Sequence, residues 1–185
     1  MLFRSAAKLK TALQHLNQIF FQPASQQLGS KFRTCLMMHS LGNKVFEQLI
    51  LSQGGAEQCS TIDSIIMHQP DVDAEGANHW IPLIHPKESL YLTVNQFDSV
   101  LIGSDLINKT RLGMFPGALL ANSNRKFQII DFTGGHHVQG AHWLFTNFDN
   151  HIVHLICDRM LNGTPGGEPI NIGLENVLPF VDSLH

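Results

Sequence analysis

One segment, Lys31 to Asn43, limits the possible folds more than any other. In it the apolar run through Cys35, Leu36, Met37 and Met38 passes without a linker into His39-Ser40-Leu41-Gly42 and then into an amphipathic helix. Val45, Phe46, Leu49 and Ile50 fall on one face of that helix, and Lys44, Glu47 and Gln48 fall on the other. A strand that becomes a helix within two or three residues must turn sharply. Such a turn lifts Ser40 Oγ clear of the backbone, aims the helix N-terminus at it and presents the Leu41 N–H to an anion forming there. Gly42 is expected where the turn crowds the backbone and a side chain would clash.

Strand and helix patterns alternate through the rest of the chain. Ala6, Leu9, Leu13, Leu16 and Ile19 to Phe20 recur at helical spacing, predicting a first helix over about 5–21 that the loop Pro23 to Ser30 closes. Ser60 to Met67, Leu90 to Val94 and Phe127 to Phe132 read as further strands, Asp98 to Ile107 and Asn150 to Leu161 as helices, and Arg111 to Ser123 as a loop. A short helix or loop is expected over Trp80 to Pro86. This alternation predicts an α/β fold with a mostly parallel sheet of about four strands and helices on both faces. At 185 residues, one domain spanning 1–185 with a single core suffices. Ligands in such sheets bind beyond the carboxyl ends of the strands.

At the His39-Ser40-Leu41-Gly42-Asn43 turn the chain resembles the alpha/beta-hydrolase family, most closely its bacterial esterase- or lipase-like members, in which the turn is a nucleophile elbow. The family prefers a small residue two before the serine, and Met38 departs from that. The resemblance runs from the first helix to about Pro165 and implies a serine hydrolase acting on an ester, thioester or amide. It also implies a Ser-His-Asp triad, an acyl-enzyme intermediate, a small-molecule acyl substrate and no cofactor. Ser40 would be the nucleophile and Leu41 N–H an oxyanion donor.

In this family the triad follows the order Ser, acid, His. Asp98, four residues past Val94, matches the acid-bearing loop, and Arg111-Leu112-Gly113 resembles a segment that follows the acid. Asp71 and Asp73 are rival acids at the end of the second strand, where a helix N-cap or a loop-ordering role competes with catalysis. His142, in Gly140-Ala141-His142-Trp143, resembles the family's base-bearing segment; His136 and His137 are the alternatives. His39 is expected to pack beneath the turn. His136, His137 and His142, with Asp131 nearby, could gather around zinc, but the spacing matches no strong zinc motif, and no Glu completes a signature with His151 and His154.

Composition narrows the partners. A net charge of −3 with scattered basic residues gives no reason to expect nucleic-acid binding, and Lys8 and Lys10 read as a solvated helix face. Cys35, Cys59 and Cys157 are odd in number and widely spaced, which suits small buried hydrophobes in a reducing compartment. No apolar run reaches bilayer length and the N-terminus lacks a signal-peptide core, so a cytoplasmic location is expected.

The resemblance also implies that strands preceding the first helix are absent, making this a truncated domain whose elbow strand has an open edge. A homodimer, or pairing through that edge, is then expected. Two further functions stand beside hydrolysis: a catalytically poor hydrolase remnant acting as an interaction protein, and a small-molecule-binding module that uses the strand-end crevice without covalent chemistry.

Overall fold

The computed structural model describes residues 2–20, 33–117, 127–135, 138–146 and 150–163. Four strands, β1 Cys35–His39, β2 Ser64–His68, β3 Ser89–Val94 and β4 Phe127–Asp131, form one all-parallel sheet in the order β1-β2-β3-β4. The helices are α1 Leu2–Phe20, α2 Gly42–Ile50, the single turn α3 Ala77–Trp80, α4 Ser99–Asp105 and α5 His151–Asn162. Three short 3-10 helices, Ala56–Thr61, Ile81–Leu83 and Leu144–Thr146, complete the described elements.

Every residue of β2 and β3 is buried, as parallel strands covered on both faces require. Their side chains alternate between two cores. Ile65, Met67, Leu90 and Leu92 pack with Phe46, Leu49 and Ile50 of α2 and with Trp80; Ile66 and Tyr91 pack with Val153, Ile156 and Met160 of α5 and with Phe132 and Leu144. Phe46 and Trp80 meet edge to face with ring centroids 6.4 Å apart. Helices therefore lie on both faces of the sheet. α1 packs on α2, burying Ala6 and Leu13 while Leu16 and Ile19 at its far end are exposed.

Several boundaries differ from the periodicity, and α4 ends at Asp105 rather than at Ile107. β2 begins at Ser64 rather than Ser60, because residues 56–61 wind into a 3-10 helix in which Ser60 Oγ donates to Glu57 O and Thr61 Oγ1 to Gln58 O. Such hydroxyl bonds to nearby carbonyls offer the backbone an alternative to a ladder. α1 starts at Leu2, three residues earlier than the apolar stripe predicts. α5 is capped by Asn150, whose Oδ1 accepts from Val153 N at 3.0 Å, and stops at Gly163, where φ is +78°. Among the described residues β1 pairs only with β2, and no helix is long and apolar enough to cross a membrane.

Candidate active site

The ladder between β1 and β2 runs one residue past β1: Ser40 N donates to His68 O at 3.1 Å. There the chain turns, with Ser40 at φ +51°, a left-handed conformation that costs energy in a residue with a side chain. The bonds that hold it there are local. Ser40 O accepts from Asn43 N at 3.1 Å, from Asn43 Nδ2 at 3.1 Å and from Asp71 N at 3.2 Å. The same Asn43 Nδ2 also lies 3.2 Å from Met38 O and 3.4 Å from His68 O, so one buried amide ties together β1, the turn and the end of β2.

The crowding expected at Gly42 is absent. A Cβ built there approaches nothing closer than Met38 Cβ at 4.0 Å, and its φ is not positive. The turn is made by Ser40 itself, and Gly42 is already the first residue of α2. Met38 is buried beneath it without conflict. The Leu41 N–H has no acceptor among the described residues, which leaves it open at the start of the helix.

Asp98 and His142 come together. Asp98 is fully buried at the N-cap of α4, where its Oδ1 accepts from Val100 N and Leu101 N, both at 3.0 Å. Its Oδ2 accepts from His142 Nδ1 at 2.6 Å and from Gln69 Nε2 at 2.9 Å. Four donors therefore surround one carboxylate. Asp71 and Asp73 are engaged elsewhere: both pair with the buried Arg111, and Asp71 Oδ1 also accepts from Ser104 Oγ at 2.7 Å. They order the loop between 70–74 and 110–113, joined by Leu112 N to Val72 O and Ala74 N to Thr110 O at 2.8 Å each. Neither caps a helix, since the N-cap of α3 is Gly76. His136 and His137 lie outside the described residues.

His39 packs against His142 rather than beneath the turn. Its Nε2 donates to His142 O at 2.7 Å, and its ring lies 4.4 Å from the His142 ring, 5.1 Å from that of His68 and 4.1 Å from that of Trp143. Burial, the largest influence, lowers its basicity. His68 is more deeply buried, with Nδ1 2.7 Å from Thr93 Oγ1 and its ring edge-on to Phe145 at 4.3 Å. Burial first, then the neighbouring His39 and His142, push its pKa down to about 2, so it is neutral at working pH. Its Nε2 has no partner among the described residues. No hydrogen bond joins Ser40 Oγ to His142 Nε2 among the described residues.

Sequence reasoning missed His68 and Gln69 as parts of this constellation, and it included Asn43 in the turn without its hydrogen bonds. Each acts through the register that sets His39 beside His68 and His68 beside Thr93, and no local motif signals that. Among the described residues no three His, Cys, Asp or Glu side chains gather as a metal site. The three cysteines are free, and burial raises their thiols to about 11 at Cys35 and about 12 at Cys59 and Cys157, which keeps them protonated and unreactive. Lys10 is not merely solvated: its Nζ donates to Gln53 O.

No protein-family model, no curated protein and no solved structure matches the chain. What the chain establishes by itself is a four-stranded parallel α/β fold with a serine at a strained strand-to-helix turn and a buried Asp–His pair at the same end of the sheet.

Proposed function

We propose that this chain is a serine hydrolase of the alpha/beta-hydrolase type, cleaving an ester, thioester or amide of a small acyl substrate. The observation that carries this reading is the buried 2.6 Å bond from His142 Nδ1 to Asp98 Oδ2, in a histidine whose ring touches that of the residue preceding Ser40. With its Nδ1 proton held by Asp98, neutral His142 has a lone pair on Nε2. Nε2 takes the Ser40 proton as Oγ bonds to the substrate carbonyl carbon, and the carbonyl electron pair becomes an oxyanion facing Leu41 N–H. Collapse breaks the bond to the leaving group, which takes the proton from Nε2. Water then repeats the sequence on the acyl-Ser40 ester.

A fluorophosphonate probe tests this: wild type is labelled once, at Ser40, and Ser40→Ala neither labels nor hydrolyses a short activated ester. Equal hydrolysis by wild type and Ser40→Ala overturns the reading. The missing hydrogen bond between Ser40 Oγ and His142 favours a second reading, a hydrolase remnant that binds a partner or small molecule without covalent chemistry. It predicts no labelling of wild type and a ligand stabilisation that survives Ser40→Ala.

That β1 pairs only with β2 among the described residues supports a pairing of this strand with another chain, most simply an antiparallel match with a second copy about a two-fold axis. Light scattering coupled to size exclusion is expected to give a dimer at micromolar concentration, and a stable monomer removes the pairing. The unpaired thiols support a reducing, cytoplasmic setting.

A further inference from the structure

We propose that Gln69 is a positioning residue of this site, its side-chain amide clamping the Asp98 carboxylate to the segment that carries His142. The role rests on the hydrolase reading, and the contacts behind it are specific. Gln69 Nε2 donates to Asp98 Oδ2 at 2.9 Å and to Ala141 O, one residue before His142, at 2.8 Å. Both hydrogens of one amide nitrogen are therefore spent on the two halves of the acid–base pair. Flipped, the amide would turn Oε1 toward a carboxylate and a carbonyl, which repel it, so the network fixes its orientation.

The backbone is shaped to deliver this side chain. Gln69 is fully buried one residue past β2, with φ +38°, a strained conformation for a residue with a side chain. Its N–H is held by Thr93 Oγ1 at 3.1 Å. The 113 loop passes directly over it: Gly113 N donates to Pro70 O at 2.9 Å, and a Cβ at Gly113 would sit 2.6 Å from the Gln69 carbonyl carbon. Only glycine admits that approach.

The chemistry of position 69 is equally restrictive. Methionine fills the same space but donates nothing, and glutamate would set a second carboxylate against Asp98. A side chain that only fills space needs neither donor. A clamp needs both, because the Asp98–His142 bond fixes the imidazole relative to the carboxylate while Gln69 fixes the segment behind the imidazole relative to that carboxylate.

The test compares wild type with Gln69→Met and Gln69→Glu by two readouts. The first is the rate of fluorophosphonate labelling together with kcat and KM on a short activated ester. The second is the downfield proton resonance of the His142 Nδ1–H, assigned by its loss in His142→Ala. We expect Gln69→Met to label about 10- to 100-fold more slowly, with the loss in kcat and KM little changed, and its resonance to broaden or vanish. Gln69→Glu, which keeps the length and serves where the methionine variant fails to fold, should lose at least as much. Wild-type labelling and an unaltered resonance in both variants would overturn the clamp, as would the absence of that resonance from wild type. If wild type is never labelled, the hydrolase reading falls by itself, and the resonance still decides whether Gln69 holds Asp98 to His142.

Discussion

If the proposed hydrolase reading holds, Asp98→Asn lowers the acylation rate by about 10⁴-fold while leaving the fold intact. Asparagine is a good N-cap, so its Oδ1 continues to accept from Val100 N and Leu101 N and α4 keeps its start. The other side of the group changes sign. Where Oδ2 accepted from His142 Nδ1 and Gln69 Nε2, an NH₂ now meets two donors. The imidazole escapes by changing tautomer, so that Nδ1 accepts and Nε2 carries the proton, and a protonated Nε2 cannot take the hydrogen from Ser40. Probe labelling measures the loss, and circular dichroism with thermal melting checks the fold. Asp71→Asn and Asp73→Asn should retain far more activity, because those carboxylates face Arg111 rather than an imidazole. An Asp98→Asn protein labelling at the wild-type rate would remove Asp98 from the mechanism.

Acidification is expected to destabilise the protein from about pH 6.5 downward, with buried His68 contributing a slope of about 1.4 kcal/mol per pH unit. The sign follows from where the proton binds. In the unfolded chain His68 titrates near 6.5, whereas in the fold burial and then the facing His39 and His142 hold it down to about 2. Between those values the unfolded state carries a proton that the folded state refuses, so stability rises with pH across that interval and is lost as pH falls. His39, depressed chiefly by burial, acts in the same direction. Asp98 is the acidic group bonded to His142 at this end of the sheet, and no hydrogen bond joins it to His68 among the described residues. Urea denaturation at pH 7.5 and pH 4.5 measures the difference. His68→Asn, whose amide stands where Nδ1 now meets Thr93 Oγ1, should flatten the slope by about one proton. An unchanged slope in that variant would show that His68 is protonated in the fold.

The layered sheet was legible because its cause is local. Ile65, Ile66 and Met67 in β2 and Leu90, Tyr91 and Leu92 in β3 are continuous apolar runs, and only a strand covered on both faces uses such a run. The turn at Ser40 was legible because a strand pattern and a helix pattern abut there, but the crowding expected at Gly42 is not found. The strained φ belongs to Ser40, and Gly42 sits in open helix geometry. The resemblance singles out Asp98 and His142, whose side chains meet at 2.6 Å; no periodicity relates two positions 44 residues apart in the chain. The elbow motif includes Asn43 without showing what its amide holds, and His68 and Gln69 could not be found by pattern at all. An asparagine in the first turn of a helix and a His-Gln pair after a strand are ordinary until the register places His68 beside both His39 and Thr93.

The segment that presents His142 is held in an unusual manner. Four consecutive carbonyls are captured from outside: Gln139 O by Asn95 Nδ2, Gly140 O by Ser99 N and Oγ, Ala141 O by Gln69 and Asn95, and His142 O by His39 Nε2. Every residue type brings a carbonyl, whereas few side chains bring the donors. The burden of specification is thereby displaced from the segment onto residues 41 to 103 positions earlier. The address of the imidazole is written at the ends of the first three strands, and the segment that carries it needs only to be read.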